Sequence, residues 1–167
     1  MTGETTMLLR VSALLMLPMF LAGCAMDSGL PADPEARIAA VKKATQATER
    51  KVVNLLSSGD VASVKRIDEG SFLSCSNGYQ WSGNIRATMS SGVVGDDAQR
   101  DLASSAAKQG FEVSEDRMLR GGRRYELVNK EGARLLVTVW NDDTVLDIDS
   151  FSQCFSVPAD YDPPRLY

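Results

Sequence analysis

The 167-residue sequence contains no histidine. That excludes a Ser-His-Asp or Cys-His nucleophile pair, a His-ligated zinc site and imidazole acid–base chemistry. Cysteine is scarce as well: three residues, with no Cys-x-x-Cys pair among them. Positive charge is in deficit, with 18 Lys and Arg against 22 Asp and Glu and a net charge of −4, so no nucleic-acid partner is expected. The longest apolar stretch, Val11 to Leu21, is too short for a helix to cross ~30 Å of hydrocarbon. What remains is a chain with 44% hydrophobic residues, enough to bury one core.

The N-terminus reads as a targeting segment. Arg10 precedes the apolar run, and Leu21-Ala22-Gly23-Cys24 follows it; Met7 is an alternative start. These four residues resemble the lipobox of bacterial lipoproteins. The resemblance implies cleavage before Cys24 and a diacylglyceryl group on its sulfur, with 1–23 as signal peptide and no transmembrane helix. An ordinary secretory signal with an incidental cysteine is the alternative. Residues 24–33 then form a lipidated tether spanning at most ~30 Å, on the extracytoplasmic side of the membrane.

Asp33-Pro34-Glu35 is a helix start, with an N-cap carboxylate, proline at the first helical position and an acid in the first turn. Ile38, Val41, Thr45, Thr48, Val52 and Leu55 recur at helical spacing, while Arg37, Lys42, Lys43, Arg50 and Lys51 lie off that stripe. The basic residues read as a solvated face, or as a face resting on anionic headgroups. Asp60 to Gly70 reads as a short helical turn. From Phe72 the period changes to two, giving a strand to Cys75, a turn at Ser76-Asn77-Gly78 and a longer strand to Met89. A second helix, capped by Asp96 or Asp97, turns Leu102, Ala103 and Ala106 inward and ends at Gly110.

Four strands follow, near 111–119, 123–129, 133–140 and 144–151, each joined by a turn of hairpin length. The predicted fold is α+β: a largely antiparallel sheet of about six strands with two helices packed on one face, in the order α-β-β-α-β-β-β-β. It occupies residues 34–157 as a single domain, with 158–167 as a C-terminal tail.

With Cys24 assigned to lipid, Cys75 and Cys154 form an even pair in an oxidising compartment, and a disulfide is expected. Asp142, Asp143, Asp147 and Asp149 are the densest carboxylate group. Asp147 and Asp149 share a strand face and are weak cation candidates, but the DxDxDG pattern of a calcium loop is missing, and a wet strand face accounts for them. No metal or cofactor is expected. Arg117, Arg120, Arg123 and Arg124 surround the Gly121-Gly122 turn and offer a basic hairpin tip for an anionic partner. Trp81 falls on the apolar face of its strand. Trp140 has the opposite parity from Leu135, Val137 and Val139, so it belongs to the second sheet face, open to a ligand or covered by the tail.

Leu73-Ser74-Cys75, Ser152-Gln153-Cys154 and Gly78-Tyr79-Gln80-Trp81, together with the lipobox, resemble small lipoproteins of actinobacteria with a two-cysteine α+β domain. The resemblance implies no catalytic residue and no substrate. The leading expectation is therefore a membrane-anchored, non-enzymatic envelope domain that binds or scaffolds a protein partner. An immunity-type lipoprotein that neutralises a toxin is one alternative. A carboxylate-based hydrolase of envelope polymers is the other.

Overall fold

A computed structural model of the chain describes residues 29–76, 78–119 and 121–167. Residues 1–23, expected to be a signal peptide, lie outside the described residues, as do Cys24 and Arg120. The first helix, α1 (Pro34–Val53), starts where expected, and Asp33 Oδ1 accepts from the Ala36 amide at 2.8 Å. Three strands follow, β1 (Val61–Arg66), β2 (Ser71–Cys75) and β3 (Gly78–Met89), then α2 (Gly95–Lys108). The meander comprises β4 (Glu112–Arg117), β5 (Arg123–Val128), β6 (Arg134–Trp140) and β7 (Val145–Phe151).

The fold is α+β, with every strand pairing antiparallel, and the sheet has seven strands where the sequence reading counted about six. The extra strand is β1, read from sequence as a helical turn. It lies at a sheet edge, where Val64 is 48% exposed and a register shift interrupts the pairing between Val61 and Ser63. With little burial on either face, no alternation of polarity was imposed on its sequence. The sheet order is β1-β3-β7-β6-β5-β4, and β2 pairs with the other half of the same edge of β3.

Both helices cover one face. Val52 and Val53 of α1 and Ala98, Leu102 and Ala106 of α2 pack on Ile85, Ala87, Leu127, Leu135, Val137, Leu146 and Ile148, all pointing the same way from their strands. A second cluster, Ile38, Val41, Trp81 and Phe155, lies under the N-terminal half of α1. The tail closes it. Tyr167 exchanges two backbone hydrogen bonds with Gly70 and accepts from Trp81 Nε1 at 3.2 Å. The tail thus packs against Trp81 and Phe72, which settles its position relative to Trp140.

The chain beyond β7 continues alongside β3, with Tyr79 and Phe155 exchanging backbone hydrogen bonds at 2.8 and 2.9 Å. That continuation places Cys154 beside Cys75 at the end of β2, and the two are disulfide-bonded. No described helix is long and apolar enough to cross a membrane.

Candidate functional site

Among the described residues nothing packs over the sheet face away from the helices, and strand register determines which side chains meet there. Lys65 of β1 pairs with Arg86 of β3, Arg86 with Asp147 of β7, Asp147 with Thr138 of β6, Thr138 with Arg124 of β5, and Arg124 with Asp116 of β4. One row of polar side chains therefore crosses six strands, with cations from β1, β3 and β5 and carboxylates from β7 and β4. The adjacent row carries Asn84 and Asp149.

Asp147 is the centre of this network. Its side chain is 5% exposed, and its Oδ1 accepts from Arg86 Nε and from Asn84 Nδ2. Asn84 Nδ2 also donates to Asp149 Oδ1 at 3.0 Å, so one amide bridges both candidate carboxylates. The hydrogen-bonded Asp147 carboxylate holds the Arg86 guanidinium above its ordinary pKa. Among the described residues, no group of three or more His, Cys, Asp or Glu side chains is placed to hold a metal ion.

Trp140 ends β6 on the same open face and is 53% exposed. Its Nε1 donates to Thr138 Oγ1 at 2.7 Å, which fixes the ring plane. The indole, Lys65, Arg86, Thr88, Val145 and Asp147 line a cavity of about 410 Å³. The structure thus brings together Trp140 and Asp147, which the sequence singled out separately, and adds Lys65 and Arg86, which it did not.

The turn after Trp140 is built for this position. Asn141, Asp142 and Asp143 all have positive φ, at 52°, 50° and 69°, a region that Asn and Asp tolerate better than other side chains with a Cβ. Asp143 then reaches α2: its Oδ1 accepts from the Asp96 amide at 2.7 Å and its carbonyl accepts from the Gly95 amide at 3.0 Å. A Cβ on Gly95 would stand 2.6 Å from that carbonyl, so glycine permits the approach. The expected cap at Asp96 or Asp97 is replaced by this one, since Val94 occupies the N-cap and offers no side-chain bond. Asp143→Ala should cost about 1.5 kcal/mol, combining a lost cap with a less favourable positive φ, and lower Tm by about 5 °C in thermal unfolding.

The described arginines of the β4–β5 hairpin divide between its two faces, Arg117 and Arg123 on one and Arg124 on the other. Arg123 and Arg124 are adjacent on a strand and point to opposite faces. Arg123 pairs with Glu115 and Arg124 with Asp116, so acids from β4 neutralise both. Arg117 lies opposite Arg123 in the pairing. A separate, more apolar cavity of about 360 Å³ lies on the helix side, between α1 and the β5–β6 turn, with Leu30, Val41 and Ala133 in its wall.

No family model matches this chain, and no curated protein matches it. One solved structure resembles it. A DUF4853 family protein from the actinobacterium Actinomyces odontolyticus ATCC 17982 aligns with a TM-score of 0.45 at 12% identity, covering 75% of this chain and 72% of that one.

Proposed function

We propose that the chain is an extracytoplasmic binding domain held on a membrane by a diacylglyceryl group on Cys24, and that its uncovered sheet face receives the partner. One observation carries the binding role. Both helices pack on the same side of the sheet, leaving a half-exposed tryptophan beside two cations and a carboxylate on the other. An aromatic wall with a few converging polar and charged groups in a concavity is the composition of a ligand site. The Cys75–Cys154 bond supports export, because structural disulfides persist in oxidising compartments. The short link from Cys24 to α1 keeps the domain near its membrane.

Two measurements test this. Cys24→Ala should move the protein from the membrane fraction to the soluble fraction; an unprocessed protein that stays on the membrane would refute the lipid anchor. A photo-crosslinking residue at Thr88, on the open face, should give a discrete adduct in intact cells. The same residue at Lys43, on the helix side, should not. Adducts from Lys43 alone would remove the sheet face from the binding role.

A further inference from the structure

We infer that the cleft beside Trp140 binds an acidic saccharide, a pyranose ring bearing a carboxylate; this rests on the reading of the open face as a binding surface. Three groups converge there, each suited to one part of such a ligand. The indole of Trp140 is a fixed apolar plane, 53% exposed and tethered through Nε1 to Thr138. A pyranose offers it a flat face of C–H bonds.

The second group is cationic. Lys65 is exposed and has no ion-pair partner among the described residues. Arg86 commits Nε to Asp147, and its two terminal nitrogens, without a partner among the described residues, are left for an incoming carboxylate. The third group is Asp147, whose Oδ1 holds Arg86 and Asn84 while its other oxygen makes no hydrogen bond among the described residues and serves as an acceptor for a ring hydroxyl. The residues that line the cleft carry two cations, Lys65 and Arg86, against one carboxylate, Asp147, in a chain whose net charge is −4; Asp149, held through Asn84, is not in the lining. Charge complementarity therefore selects an anion, and the indole selects one attached to a ring.

The fold argues against an extended peptide laid down as an added strand. In the part of the sheet that carries Arg86 and Asp147, β3 is paired with β1 and β7, and β7 with β3 and β6, so the free edge there is that of β1, and a strand added to it would lie beyond Lys65 and away from Asp147 and Trp140. Recognition must come from side chains. A volume of about 410 Å³ suits a ring or two at the side of a longer polymer.

The experiment is a titration of tryptophan emission on the domain carrying its disulfide. Trp81 is fully buried, so a ligand-induced change reports on Trp140. Three probes are compared: a tetramer of galacturonic acid, a neutral hexose tetramer and tetraglutamate. The galacturonate tetramer should give a saturable change, at least tenfold weaker in Lys65→Glu; for Trp140→Ala, which lacks the reporter, calorimetry should detect no binding. Trp140→Phe, which keeps an aromatic plane, should restore part of the binding when followed by calorimetry, and unchanged thermal unfolding should show that each variant is folded. No saturation with the acidic tetramer, or equal affinity for the neutral one, would overturn the inference. A response to tetraglutamate alone would also overturn it while leaving the binding face in place. The crosslinking at Thr88 tests that face independently.

Discussion

Replacing Cys75 and Cys154 together by serine should lower the stability of the domain by about 4 kcal/mol and its Tm by about 12 °C. The two cysteines are separated by 79 positions, so the bond removes a long loop's worth of freedom from the unfolded chain. The folded state should change little. Tyr79 and Phe155 still exchange their backbone hydrogen bonds, and Ser152 still donates its amide to the Trp81 carbonyl. Phe72, Phe155 and Tyr167 keep their ring contacts. Far-UV circular dichroism at 25 °C should therefore match the parent, while chemical denaturation registers the whole loss. Protein made in a reducing cytosol should behave like the double variant, and oxidation should restore the difference. A loss below about 1 kcal/mol would show that the unfolded chain already holds these ends together.

The elements legible in the sequence were those whose burial is one-sided. Helix α1 and strands β3, β6 and β7 each bury one face, so their apolar residues repeat at 3.6 or 2, while β4, exposed apart from Val113, was found through the turn signals that bound it. Strand β1 buries little on either side and left no such signature. The pairing of Arg124 with Asp116 and of Arg123 with Glu115 was within reach, because a hairpin closing at Gly121-Gly122 sets both registers. Three features depended on distant contacts. Asp143 caps α2 from 47 positions away. Lys65 meets the Trp140 cleft only because the sheet order runs β1-β3-β7-β6. Trp140 was placed on the correct face by parity alone, but parity says nothing of its neighbours. The remaining oversight was Glu49. It falls four residues after Thr45 and three before Val52, on the buried stripe of α1, at a position the apolar spacing alone did not single out.

Glu49→Gln should leave stability unchanged in acid and raise it by about 2 kcal/mol at neutral pH. Glu49 is fully buried between the two apolar clusters, beneath α1. Its Oε1 accepts from Ser150 Oγ, and its Oε2 has no partner. Loss of hydration pushes its pKa above the ordinary 4.5, and the Ser150 hydrogen bond and the charges of Arg66 and Arg50 only partly oppose this. In the unfolded chain Glu49 titrates normally. Between the ordinary value and the raised one, the native state holds more protons than the unfolded state, so stability falls as pH rises through that window. Above the window the penalty is complete; below the ordinary value it is absent. Glutamine has no proton to lose, and subtracting its pH–stability curve from the parent's isolates Glu49 from the other carboxylates. A difference independent of pH would refute the assignment. Ser150→Ala removes the donor that opposes the shift, so it should move the window to higher pH and cost about 2 kcal/mol more at neutrality, where the buried carboxylate is left without a hydrogen bond.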